Sequence, residues 1–281
     1  MGMENLAKVV NVTLASIGYK FSNKEKVFEA LLKVDRADFA GEGVLDAMII
    51  GADNYLALTA VHNRIVDVED GGLVDNLNSN AVDYISAVEK LLMEVRQVKI
   101  PMITLAYNDL VIQLGHGQTC TQPSVNCILL DASGLEEEMN ILEIGTGSGY
   151  FAALAAEMLG EKGFVTTMER IPELIDPAHA NLRKHFGDNY ARRVHIIGGN
   201  GKNGYFPHAP YDRIILTAGV DIETFDKKPF IEQLKPNASL IYPEQKGYLY
   251  SEKYKSGVMV DQKIHGRVMF VPLITEEPAN I

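Results

Sequence analysis

The sequence predicts an α/β protein: a doubly wound, mostly parallel sheet preceded by a helical region. Three observations carry this. From about residue 140, short apolar strands alternate with helix-like segments, the pattern of βα units whose strands lie side by side. The first of these strands runs into a cluster of glycines and then directly into a helix, a turn that such sheets place at a ligand. Before residue 100, apolar residues recur instead at helical spacing.

The elements follow in order. Glu4–Tyr19 predicts the first helix, with Leu6, Val9, Val10 and Ile17 on its stripe. Ser22–Val34 predicts the second: Ser22 and Glu25 form a capping box, and Val27, Phe28, Leu31 and Leu32 make its apolar face. Asp53–Val66 and Ala81–Val98 predict two more, the latter capped by Asn78 or Ser79 and stopped by Pro101. The strands are Met139–Gly145, Gly163–Arg170, Arg193–Gly201, Tyr211–Gly219 and Ala238–Gln245. Between them lie the Ala-rich helix Tyr150–Leu159, closed by Gly160, and the helix Glu173–Phe186, which Pro177 either begins or kinks.

Composition narrows the function classes. With 281 residues the chain holds one large domain, or one domain and an appendage. Its net charge of -11 and its scattered lysines and arginines argue against nucleic acid, whose binding needs a basic surface. Cys120 and Cys127 form no CxxC and have no histidine at zinc-ligand spacing, so free thiols in a reducing cytoplasm and no metal are expected. The stretch MGMENLAKVV lacks the basic and apolar parts of a secretory leader. No apolar run approaches the roughly 20 residues of a membrane span, so no membrane partner is expected.

The glycine cluster is Gly145-Thr146-Gly147-Ser148-Gly149. Its spacing is GxGxG, and Tyr150 stands where a dinucleotide fingerprint would place its last glycine. That disfavours a pyrophosphate on the helix N-terminus. Glu169 ends the next strand, 24 residues after Gly145, close to the distance at which an acid holds ribose hydroxyls. A ribose without a phosphate at the loop fits S-adenosyl-L-methionine better than NAD. Gly198–Gly201, GGNG, is either a plain turn or a stretch presenting Asn200 to an adenine edge. Thr217–Gly219 would reach the same cleft. GHGQTCTQP, Gly115–Pro123, is poor core and poor helix, so it is a surface loop or lines a site.

These pieces, read in order, resemble the protein-L-isoaspartate (D-aspartate) O-methyltransferase family. The resemblance runs through VDRADFA, AYNDLVIQLGHGQTCTQP, NILEIGTGSGYFAALAAEM, GGNGKNGYFPHAPYDRIILTAG and QLKPNASLIYP, and ends near VMFVPLI. It implies a Rossmann-like class I methyltransferase sheet in 106–281, after an N-terminal helical region, 1–105. It implies S-adenosyl-L-methionine as cofactor and, as partner, a protein or peptide bearing an isoaspartyl carboxylate. Gln118, Thr119, Gly145, Thr146, Gly147, Ser148, Gly149 and Tyr150 would hold the methionine and ribose parts of the cofactor. Glu169 would hold the ribose, and Asn200 and Gly201 would lie at the adenine. His116, Gly117 and Thr121 would border the substrate, with Thr121 as the active-site hydroxyl. His116 reads as tying its loop to itself rather than as a catalytic base.

The chemistry agrees with that implication. A carboxylate is already ionised at pH 7, with a reference pKa near ~4, so methyl transfer to it needs no general base. It needs positioning and partial removal of water. Three departures from the family pattern stand out: Thr121 where serine is usual, Asn200 where aspartate is usual, and an insertion over about 41–105. The insertion reads as a lid, an oligomerisation element, a docking surface or a helical ornament. Two other functions stay open at this point: methylation of a different carboxylate, and cofactor binding without catalysis.

Overall fold

The computed structural model describes residues 2–40, 44–46, 99–101 and 106–275. The helices expected over Asp53–Val66 and Ala81–Val98 lie outside the described residues. The chain forms two compact units, Met1–Gly41 with Asp109–Ile281, and Glu42–Asn108. In the smaller, β1 (Val44–Asp46) pairs antiparallel with β2 (Lys99–Pro101).

The larger unit opens with α1 (Met3–Ser16) and α2 (Lys24–Lys33). The buried face of α1 is Leu6, Ala7, Val10 and Leu14, an i, i+4, i+8 stripe. Val9 and Ile17, expected inside, are exposed. The cap of α2 also differs from expectation. It is Asn23, whose side chain accepts from the Lys26 N–H, and not a Ser22–Glu25 box. The cause is distant in sequence: the Asp131 carboxylate takes the backbone N–H groups of both Ser22 and Asn23, fixing the entry to the helix one residue later.

GHGQTCTQP is structured as a hairpin running into a helix. β3 (Ile112–Gly115) pairs with β4 (Gln118–Cys120) across the two-residue turn His116–Gly117. Both turn residues have positive φ, 52° and 70°, as the twist of a tight hairpin demands. Then α3 (Pro123–Ser133) starts on a proline, which suits a first helical position.

The main sheet has seven strands in the order β11-β10-β9-β8-β5-β6-β7. They are β5 (Asn140–Ile144), β6 (Phe164–Glu169), β7 (Val194–Gly198), β8 (Tyr211–Leu216), β9 (Leu234–Pro243), β10 (Lys246–Lys255) and β11 (Val258–Met269). β5 to β9 are parallel; β10 and β11 add an antiparallel hairpin that the sequence reading did not assign. Leu142, Ile214 and Leu240, adjacent across the middle of the sheet, are fully buried. Between strands run α4 (Tyr150–Leu159) and α5 (Pro172–Phe186), which carries Pro177 inside it; the short α6 is Lys228–Ile231. No helix among the described residues is long and apolar enough to cross a membrane.

Strand order reverses direction between β5, which leads to β6, and β8, which lies on its other side. Ligands of open α/β sheets sit outside the carboxyl ends of the strands at that switch. Here those ends are Gly145 and Thr217.

Candidate functional site

The glycine loop is fixed at both edges. The N–H groups of Gly145 and Thr146 both donate to the Met168 carbonyl, and Thr217 Oγ1 donates to the Ile144 and Gly145 carbonyls at 3.0 and 2.7 Å. Gly145 has φ 112°, and a Cβ there would lie 2.6 Å from Thr217 Oγ1. Only glycine lets the ends of β5 and β8 close this tightly. Ser148 Oγ accepts from the Tyr150 N–H and so dresses the start of α4.

Glu169 lies at the mouth of the cleft and is 6% exposed. One carboxylate oxygen accepts the Gly147 N–H at 2.8 Å, the other the Ile171 N–H at 2.9 Å. The carboxylate is thereby held at a fixed angle, and each oxygen keeps a lone pair for a hydroxyl. The cleft walls are Met168, Ile171, Leu174 and Leu273, with Gln118 and Thr119 entering from β4. Gly201 forms part of the floor, where a Cβ would meet Ile144 Cγ2 at 2.6 Å.

A second, smaller recess opens on the other side of the glycine loop. It is bounded by Thr121, Thr146, Ser148, Tyr150, Asn126 and Glu143. Three of its buried polar atoms have no hydrogen-bond partner among the described residues: Asn126 Oδ1, Glu143 Oε1 and Tyr150 Oη. Glu143 is fully buried in the middle of β5. Thr167 Oγ1 donates to its Oε2 at 2.6 Å and stands 2.7 Å from Thr146 Oγ1. Burial is the main cause that pushes the Glu143 carboxyl up to about 8; the Thr167 bond opposes it and the nearby Glu169 adds to it. Burial also pushes the Tyr150 phenol up, so it stays a donor.

The hairpin carries Thr121 to the edge of this recess. Its carbonyl accepts from Asn126 Nδ2 at 3.2 Å and from the fully buried Arg36 at 3.3 Å. Arg36 also donates to the Leu110 carbonyl at 2.6 Å. It thus pins both ends of the hairpin to the first forty residues.

Of the residues singled out from sequence, the structure brings Gln118, Thr119, Gly145, Gly147, Glu169 and Gly201 to one cleft, and Thr121, Thr146, Ser148 and Tyr150 to the adjoining recess. Gly149, with φ 84°, starts α4 behind the loop. His116 and Gly117 sit at the exposed tip of the hairpin, away from both cavities. Asn200 directs its Oδ1 to the Lys202 N–H and its Nδ2 to the Thr275 carbonyl, rather than into the cleft. Its amide ties the C-terminal segment to the turn after β7. Sequence reasoning missed Glu143; the signal was an acid inside the otherwise apolar NILEI strand. It also missed Val271–Ile274, which line the cleft after Gly219 bonds to Val271 and Leu273. Among the described residues, no group of three or more histidine, cysteine or acidic side chains could hold a metal ion.

Comparison with known proteins fits this arrangement. The family model for protein-L-isoaspartate(D-aspartate) O-methyltransferase matches residues 68–278, starting within the stretch expected to be an insertion. The protein-L-isoaspartate O-methyltransferase of Thermococcus onnurineus is 45% identical over 175 residues, 61% of this chain and 76% of that one. That of Thermococcus sibiricus is 37% identical over 213 residues, 73% of this chain and 92% of that one. A solved protein-L-isoaspartate O-methyltransferase has a TM-score of 0.62 at 20% identity, covering 96% of this chain and 65% of its own. A Plasmodium falciparum protein solved in complex with S-adenosyl-L-homocysteine gives 0.62 at 16%, covering 98% of this chain and all of its own. These two likenesses establish the Rossmann-like methyltransferase fold. On the family match and the Thermococcus relatives, this chain belongs to the protein-L-isoaspartate(D-aspartate) O-methyltransferase family.

Proposed function

We propose that this chain transfers the methyl group of S-adenosyl-L-methionine to the carboxylate of L-isoaspartyl residues in polypeptides, activating the damaged residue for repair through a succinimide. One observation carries the reading: three buried, unpartnered polar atoms converge on the recess between the glycine loop and Thr121. Leaving one such atom unpaired costs about 1–3 kcal/mol, so three in one recess mark a place built for a polar guest.

The residues present fit the cofactor. Glu143 and Asn126 offer acceptors to an ammonium group, and Tyr150 offers a donor to a carboxylate, so the recess suits an amino-acid end. The adjoining cleft suits a nucleoside, with the Glu169 oxygens for the ribose hydroxyls and the Met168, Ile171 and Leu174 side chains against the base. Bound there, S-adenosyl-L-methionine supplies an electrophilic methyl group on its sulfonium. The chain's own groups orient the acceptor. Thr121 and Thr119, at the junction of the cavities, present hydroxyls that hold a carboxylate without neutralising it, and the buried walls exclude water. Two buried free thiols support a reducing, cytoplasmic location.

The test is labelled-methyl transfer to an isoaspartyl peptide and to its normal aspartyl twin. Labelling confined to the isoaspartyl peptide is expected. Equal labelling of the two, or of neither, would sink the reading.

A further inference from the structure

Beside Thr121, on the far side from the glycine loop, lies a third cavity of about 780 Å³. It is continuous with the other two through Thr119, Thr121 and Thr217. Its volume is that of a binding site for several residues of an extended chain. Val111 and Val125 form one wall and the β10–β11 hairpin the other.

The charge of that hairpin wall is anomalous. Among the described residues lining the cavity, two are basic, Lys246 and Arg267, and none is acidic. Lys246 pairs with Met269 and Tyr248 with Arg267, so the two cations stand diagonally across one face of the hairpin. Diagonal neighbours lie roughly 7–8 Å apart, which a single carboxylate can bridge with two long side chains. Neither cation forms an ion pair among the described residues; Arg267 rests on the Tyr248 ring, 5.5 Å from its centroid. Glu244, the acid of the adjoining turn, is occupied by the Tyr248 N–H and the Tyr250 hydroxyl. In a chain of net charge -11, two adjacent cations without a counter-ion among the described residues are not explained by solubility.

We infer that this cavity holds the polypeptide flanking the methyl-accepting residue, and that Lys246 and Arg267 select substrates with an acidic side chain in that flank. The inference rests on the proposed carboxyl methylation. Both cations are exposed at the rim, beyond Thr121, so they hold the flank and leave the reacting carboxylate to hydroxyls. Val111, 44% exposed, and Met269, 77% exposed, supply the apolar surface against which the rest of the flank lies.

The experiment compares isoaspartyl peptides that differ only by Glu against Gln at positions one to four residues from the isoaspartyl group. At one of these positions the acidic peptide should have kcat/KM about fivefold higher, carried mainly by KM and shrinking with added salt. In Lys246→Gln and Arg267→Gln the ratio should fall toward one, and Lys246→Arg should restore it. Binding of S-adenosyl-L-homocysteine to each variant reports that it is folded. Equal efficiency on both peptides at every position, or a preference that persists in the double glutamine variant, overturns the acidic-flank site and leaves the activity standing. No methylation of any peptide overturns both.

Discussion

Two glutamates on neighbouring strands stand beside the glycine loop in opposite states. Glu169, at the end of β6, has both oxygens engaged by backbone N–H groups. Glu143, inside β5, has one oxygen on Thr167 and the other on nothing. The first is finished by the protein alone, and its angle does not depend on a ligand. The second keeps one oxygen without a partner among the described residues. The Glu169 end of the site is therefore preorganised, and the Glu143 end keeps a buried oxygen unpaired among the described residues.

Breaking the finished acid should have the largest effect. Glu169→Ala removes the proposed ribose contacts and frees the Gly147 and Ile171 N–H groups, so affinity for S-adenosyl-L-homocysteine should fall about 100-fold or more by calorimetry. A loss under threefold would mean that Glu169 organises the loop without touching a ligand. Thr121→Val comes next, because it tests the acceptor side alone. Turnover on an isoaspartyl peptide should fall about 10- to 100-fold while cofactor affinity stays within about twofold. Unchanged turnover removes Thr121 from the chemistry.

The unfinished acid should give a smaller loss and a sharper signature. Glu143→Gln should weaken S-adenosyl-L-homocysteine about tenfold. In the unliganded protein the carboxyl titrates at about 8, against 4.5 when unfolded, so it is protonated near pH 7. An ammonium group beside it favours the ionised form, and binding should release a proton. Calorimetry in buffers of differing ionisation heat should show that release near pH 7, absent in the Gln variant, and affinity rising with pH up to about 8. The same shift makes folding take up a proton between these values. Its stabilising contribution is present below about 4.5 and is lost as pH climbs through about 8, a slope that Glu143→Gln should remove.

The smallest effect expected is at the opposite end of the sheet. His208, bonded to Thr166 and stacked 5.4 Å from His195, has its pKa lowered by burial and then by that neighbour. The folded state binds fewer protons there, so stability falls as pH drops through the unfolded value near 6.5. His208→Gln should flatten the acid limb of a melting-temperature profile and leave cofactor affinity unmoved. A change in affinity would show that the two ends are coupled.

Local signals made much of this legible in the sequence. The helix after the glycine loop was read to the residue, because Gly149 and Gly160 bracket an apolar run broken only by Glu157. Glu169 was singled out by its spacing from Gly145, and it lies beside the glycine loop. What escaped was set at long range. Asp131 moves the cap of α2 from more than a hundred residues away. Asn200 looks like a base reader until Thr275 claims its amide. Tyr242, Tyr254, Lys227 and Gln262 surround the buried Glu252 and let β10 carry a charge inside a strand, which obscured its alternation.

The Arg36 clamp changes what counts as the minimal enzyme. A fragment beginning after residue 41 would retain every residue that lines the cleft at Glu169, yet the hairpin bearing Thr121 would have lost its anchor. Such a fragment would also lose the Phe39 and Arg36 contacts to the Tyr150 ring in the recess. The Arg36–Phe39 turn that follows α2 is thus part of what holds the acceptor side in place, although it lines neither cavity.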